Sequence, residues 1–392
     1  MTIDFDTPID RAGTASLKYD ARQQYFASEN IIPLWVADMD FAAPAAISEA
    51  LVKRAQHGVH GYSTYPESLY HSLQHWFSDR HGWQIEREHI VLCPGVVPSL
   101  YALVTTLTDP GEAVIIQPPV YQPFFTAITE TGRQCIENPL QIVNGQYEMD
   151  FSHLITCAQA GAKVLLLCSP HNPVGRVWDK ATLTRLCQIA EQYQITIVSD
   201  EIHADLCFPG QVHQPLAALA ADKANIITAI SPSKTFNIPG LGLSAVVISD
   251  TQQRAALQKT IAHGHSLNMN PFSIVGFEAG YRHGAAWLDE LMPYLANTKQ
   301  WVTQYCQQTI PAIKVMRSEG TYLLWLACHD LGLDDLALQR FFIEKAGLGL
   351  SPGTLFGTEQ GTGFMRLNIA APFSIIQRAM QQLATAVNER IG

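Results

Sequence analysis

Short apolar runs and longer amphipathic stretches alternate along the chain from about residue 90 to 250. The runs His89–Cys93, Ala113–Gln117, Lys163–Cys168, Ile195–Ser199, Asn225–Ile230 and Ser244–Ile248 are mostly continuously apolar rather than alternating. That is the pattern of strands covered on both faces. Between them, stretches such as Pro98–Leu107 and Lys180–Tyr193 have the length of crossover helices. The order predicts an α/β fold, a mostly parallel sheet between helices. After Asp250 the pattern changes. Helical stretches run over Thr251–His263 and from Ala285 to about Gln308. They are followed by strand-like Ile313–Met316 and Thr321–Ala327, a helix over Leu336–Lys345, strand-like Phe364–Asn368 and a last helix over Phe373–Glu389. This predicts a large domain over residues 46–284 and a smaller α+β C-terminal domain over 285–392. Residues 1–45 carry Pro8, Pro33 and Pro44 and little periodicity, and read as an arm packed across the body.

Composition narrows the class. Of 392 residues, 47% are hydrophobic and 15% charged, enough for a large core and too apolar for wholesale disorder. The net charge of −10 argues against a nucleic-acid backbone or an anionic membrane as a general partner. The eight cysteines are scattered, with no Cys-x-x-Cys pair, unlike a disulfide framework or a zinc ribbon. No apolar run approaches the roughly 20 residues of a membrane helix. The opening Ile3-Asp4-Phe5-Asp6 lacks the basic and apolar regions of a signal peptide. The expected compartment is the cytoplasm.

Ligands of open α/β sheets bind beyond the carboxyl ends of the strands. Three predicted strands end in polar groups there. They run into Ser169-Pro170-His171-Asn172-Pro173-Val174-Gly175, Asp200-Glu201-Ile202-His203 and Ser231-Pro232-Ser233-Lys234-Thr235. Asn172 and Asp200 are 28 residues apart, Asp200 and Lys234 are 34 apart, and each gap fits one crossover. An amide, a carboxylate and a lysine between hydroxyls are what pyridoxal 5′-phosphate requires. The lysine forms the Schiff base, the acid keeps the pyridine nitrogen protonated, and the hydroxyls meet the phosphate. Each piece also has a plainer reading. Asp-Glu after a strand caps a helix or sits in a turn, Asn-Pro makes a turn, and Ser-x-Ser-Lys recurs by chance.

With Pro33-Leu34-Trp35-Val36-Ala37-Asp38-Met39-Asp40-Phe41, Gly61-Tyr62-Ser63-Thr64-Tyr65-Pro66 and Pro94-Gly95-Val96-Val97-Pro98, these segments resemble the fold-type I pyridoxal phosphate enzymes. Within them the chain is similar to the MalY/PatB branch of carbon–sulfur β-lyases, often called cystathionine β-lyases, from about residue 30 to 370. The resemblance implies a seven-stranded, mostly parallel sheet in the large domain and a homodimer with shared sites. It implies that Lys234 carries the cofactor and shuttles the Cα proton, that Asp200 pairs with the pyridinium nitrogen, and that Asn172 meets the ring oxygen. His203 stands where many relatives place a tyrosine reaching the same oxygen; its alternative is a core histidine. Tyr121, after Pro118-Pro119-Val120, resembles the aromatic stacked on the ring, or else simply packs. Gly95 and Val96 would open a helix whose bare N–H groups suit a phosphate, assisted by Ser231 and Ser233. Tyr62 would reach the phosphate from the neighbouring subunit. Arg366 would fork onto the substrate carboxylate, or else lies on a surface strand.

One departure separates the chain from many aminotransferases. The lysine is followed by Ile238-Pro239-Gly240-Leu241-Gly242-Leu243, without their phosphate-binding arginine. Gly240-x-Gly242-x-x-Ala245 imitates a dinucleotide fingerprint but follows a loop and enters an apolar strand, the reverse of what that motif needs. His71 and His75 share a helical face without the glutamate of a zinc protease, and the His263 and His265 pair is too short and loop-like for a metal. The expected activity is β-elimination from cystathionine or another S-substituted L-cysteine, giving a thiol, pyruvate and ammonia. An aminotransferase, or a cofactor-binding regulatory protein with residual lyase activity, are the alternatives.

Overall fold

The computed structural model describes residues 3–391 except 221, 222, 224 and 265–268, so His265 lies outside the described residues. Its centre is a seven-stranded sheet of β1 (Ile90–Cys93), β2 (Ala113–Ile116), β3 (Gln134–Glu137), β4 (Val164–Cys168), β5 (Thr196–Asp200), β6 (Ile226–Ile230) and β7 (Ser244–Ile248). The order across the sheet is β1-β7-β6-β5-β4-β2-β3. Only β7 runs against its neighbours. The expected mostly parallel α/β sheet is therefore present, and the continuously apolar runs are its buried strands. Edge strand β3 escaped prediction because it is short and half-exposed, with no apolar run to announce it.

Register places the chemistry. Cys168 pairs with Asp200 and Asp200 with Ala229, so the carboxyl ends of β4, β5 and β6 finish in one row. Helices start cleanly where an acid or amide accepts the orphan N–H groups of the first turn: Asp179 from Thr182, Asp250 from Gln253, Asn270 from Phe272. The expected Leu336–Lys345 helix is an α-turn, Asp335–Arg340, running into a π-turn, Phe341–Lys345. The helix Ala45–Gln56, which buries little besides Ile47, went unassigned in the chain pattern, and Glu67–His81 was read as helical only around His71 and His75. His71 and His75 are exposed on the second of them, His75 lying 3.1 Å from Asp79. No helix among the described residues is long and apolar enough to cross a membrane.

The C-terminal part holds an antiparallel sheet of β8 (Lys314–Val315), β9 (Leu323–Ala327), β10 (Ser351–Pro352) and β11 (Phe364–Asn368), ordered β8-β9-β11-β10. The N-terminal segment joins this half, Ile32–Pro33 pairing in parallel with Leu348–Gly349. The two sheets meet where the amides of Glu319 and Gly320 donate to the Gly175 carbonyl, at 2.7 and 3.0 Å, and Thr321 to that of Leu206 at 2.6 Å. A side chain at Gly175 would put its Cβ 2.2 Å from Ser318 Oγ, and its φ of +68° is open to glycine at little cost. This close approach brings β9 and β11 beside the ends of β4 to β6.

Candidate active site

A cavity of about 250 Å³ opens at those strand ends, lined by Gly95, Val96, Tyr121, Asn172, Asp200, His203, Ser231, Ser233 and Lys234 together with Ala37 and Cys168. Nine of the residues singled out in the sequence thus converge. A larger cleft of about 810 Å³, between residues 24–30 and 339–347, is open and lies away from them. Arg366 is buried and reaches the cavity wall through Asn172, so it is not on a surface strand. Tyr62 is fully exposed and does not line the cavity of its own chain.

Lys234 sits on the one-turn helix Pro232–Thr235, opened by Ser231, whose hydroxyl accepts from the Ser233 amide and donates to the Leu243 carbonyl. Both functions of Ser231 are thereby engaged within the chain, and Ser233 is the half-buried hydroxyl of the pair. The next turn is anchored from below. Thr235 donates to Asp205 at 2.7 Å, Asp205 also accepts from His81 and Trp76, and Phe236 packs on the glycine face of helix Pro271–His283. A Cβ at Gly280 would stand 2.8 Å from the Phe236 ring.

Lys234 Nζ donates to the Ala37 carbonyl at 2.6 Å. Burial lowers its basicity to about 8, with Arg366 lowering it further and Asp38 and Asp200 opposing. Asp200, at the end of β5, accepts only from the Ile202 amide, at 3.1 Å, among the described residues. A turn follows rather than a helix, so the carboxylate is not a helix cap. Burial pushes it from its ordinary 3.8 to about 7. His203 is held neutral, down to about 3, by burial and by the charges of Lys234 and Arg366, and its buried Nδ1 has no partner among the described residues. Burial raises the Tyr121 phenol.

Arg366, on β11, donates from Nη1 to Asn172 Oδ1 at 3.0 Å and from Nη2 to the Trp35 carbonyl and Ser351 Oγ, at 2.8 and 3.2 Å. Among the described residues its buried Nε has no partner, and no carboxylate lies within 4.0 Å of the guanidinium. A guanidinium in that state is poised for an anion. Gly95, at φ +151°, caps the helix Val96–Leu107, whose N-terminal amides face the same cavity. A carboxylate wanting a proton donor, an unpaired buried imidazole, a helix N-terminus and a lysine of low basicity match pyridoxal phosphate group by group. These residues fit it.

The family model for class I and II aminotransferases matches residues 29–383. The chain belongs to the class I and II aminotransferase family. Within that family it is 38% identical over 388 residues to cystathionine beta-lyase PatB of Bacillus subtilis, covering 98% of this chain and 100% of the relative. It is 32% identical to protein MalY of Escherichia coli, covering 98% of each. The solved structure of cystalysin from Treponema denticola, which contains a pyridoxal 5′-phosphate cofactor, superposes with a TM-score of 0.96 at 36% identity, over 99% of this chain and 100% of that one. The expected resemblance and fold are those of the family.

Two contributors went unrecognised in the sequence. Ala37 acts through its main chain, which no side-chain motif can announce. Tyr322, buried with its hydroxyl on that same carbonyl at 2.9 Å, lies in an apolar run that reads as an ordinary strand.

Proposed function

We propose that the chain is a pyridoxal phosphate-dependent β-lyase that cleaves the Cβ–S bond of cystathionine or a related S-substituted L-cysteine. The observation that carries it is the convergence of buried Asp200 and Arg366 with half-buried Lys234, three charges with no ion-pair partner within 4.0 Å among the described residues, in a chain full-length related to cystathionine β-lyases. When bound, pyridoxal phosphate supplies an aldehyde for amines and a ring that takes up the electrons left at Cα. Asp200 would hold the proton at the pyridine nitrogen. Asn172 Oδ1 is taken by Arg366, which leaves its amide N–H₂ to donate to the ring oxygen. Tyr121 would pack on the ring face, with His203 at its polar edge. The Gly95–Val96 amides and Ser233 would receive the phosphate. Arg366 would orient the substrate carboxylate, and Lys234, its basicity lowered to about 8 and so half deprotonated at pH 8, would take the Cα proton. Loss of the thiolate from Cβ then leaves a product that water turns into pyruvate and ammonia.

We further infer a homodimer with shared sites. Residues 57–62 are exposed, and Tyr62 projects from them with no cover among the described residues. A second copy supplies that cover when Tyr62 reaches the phosphate of the partner's site. The eight cysteines are all free and fit a reducing compartment, so the cytoplasm is the proposed location.

Cystathionine turnover tests the reading. Pyruvate is expected without any added 2-oxo acid. Turnover that requires a 2-oxo acid and yields no pyruvate would make the chain an aminotransferase instead.

A further inference from the structure

The segment Trp35–Phe41 enters the cavity lining at Ala37 and forms a strap whose carbonyls are held by side chains from both halves of the chain. Arg366 takes that of Trp35, Asn368 those of Val36 and Asp38, both at 2.7 Å, and Asn237 those of Met39 and Phe41. In the middle, the Ala37 oxygen accepts two donors, Lys234 Nζ at 2.6 Å and the Tyr322 hydroxyl at 2.9 Å. A carbonyl has two lone pairs, and here both are filled. Tyr322 is 1% exposed, packs edge-on to His203 at 6.2 Å, and its phenol is pushed far above the usual range by burial and by Asp38, so it stays a donor at every working pH.

We propose that Tyr322 is a positioning residue for Lys234, acting through the Ala37 carbonyl. The hydroxyl occupies one lone pair and so confines the free amine to the other. It also drains acceptor strength from an oxygen that would otherwise favour the ammonium form. Tyr322 thereby aims the amine and keeps it unprotonated once it leaves the cofactor. The charged and titratable groups facing Lys234 are Asp38 on the strap, Asp200 on β5, Arg366 on β11, and His203, Tyr121 and Tyr322. Only Tyr322 shares its acceptor. The proposal rests on Lys234 being the reacting amine.

The test is the rate at which the cofactor-free full chain takes up pyridoxal phosphate, followed by absorbance from pH 6 to 10, because only the neutral amine attacks the aldehyde. Tyr322→Phe removes one oxygen and keeps the ring. Its midpoint is expected about half a unit above wild type, with about threefold slower uptake at neutral pH and an equal rate at pH 10. Tyr147→Phe, which removes a buried hydroxyl that accepts from Trp325 away from the strap, should leave the midpoint alone. Asp38→Asn, a second variant should Tyr322→Phe not fold, should move the midpoint the other way, since it removes an anion facing the amine while Tyr322 still fills the second lone pair. An unmoved midpoint in Tyr322→Phe, or an upward move in Asp38→Asn, overturns the role of the strap. If Lys234→Ala takes up the cofactor as wild type does, it is instead the assignment of Lys234 that fails.

Discussion

Two groups of buried charges lie side by side in this protein and are treated in opposite ways. In the N-terminal segment, Arg11 grips Asp38 at 2.6 Å and Asp40 at 2.7 Å, and Lys18, with no exposed side-chain surface, lies 2.8 Å from Asp40. Every charge there has its counter-charge. At the strand ends, Asp200 and Arg366 are buried and Lys234 is half-buried, yet their partners are an amide, two carbonyls, an asparagine and a serine. Paired burial holds a fold together; unpaired burial stores affinity for a ligand and shifts proton equilibria. The first group fixes the strap on which the second leans, through Ala37 and Asp38.

The same substitution made in both regions separates them. Lys18→Met strands Asp40 beside a single cation and is expected to cost about 3–5 kcal/mol of stability, read by chemical denaturation. Lys234→Met in the cofactor-free chain should be neutral or stabilising within about 1 kcal/mol. Equal losses would erase the contrast.

Asp200 sharpens it through pH. Its folded pKa of about 7 lies above the ordinary 3.8, so the cofactor-free fold has its full stability from this group below 3.8 and loses it as pH rises to 7. Cofactor-free Asp200→Asn should therefore exceed wild type by up to about 4 kcal/mol at pH 8, with the gap closing as the pH falls toward 4. A gap that stays constant with pH would deny the shift. The smallest effect is at the anion end. Arg366→Lys keeps the charge but loses the planar fork, and KM should rise about tenfold with a lesser fall in kcat.

Much of this was legible from residue order, and the reasons for the gaps are physical. Strands β4, β5 and β6 declared themselves as apolar runs because both faces are covered, and their polar ends pointed at Asn172, Asp200 and Lys234. Edge strand β3 had no such signal. The roles expected of Arg366 and Tyr121 came from family resemblance, since nothing in the local sequence says that Arg366 is buried without a carboxylate. The Arg11–Asp38 and Lys18–Asp40 pairs were invisible, because pairing between residues 27 and 22 apart in an irregular segment has no period. Ser231, expected at the phosphate, lines the cavity, and its hydroxyl also donates to the Leu243 carbonyl across the turn beneath Lys234.

The account stands on Lys234 as the amine that removes the Cα proton. Exchange of the Cα hydrogen of L-alanine in deuterated water isolates that step, since alanine has no leaving group on Cβ, and NMR follows it directly. The cofactor-loaded wild type should exchange steadily and Lys234→Ala at least about a thousandfold more slowly. Exchange by Lys234→Ala at the wild-type rate would contradict the account.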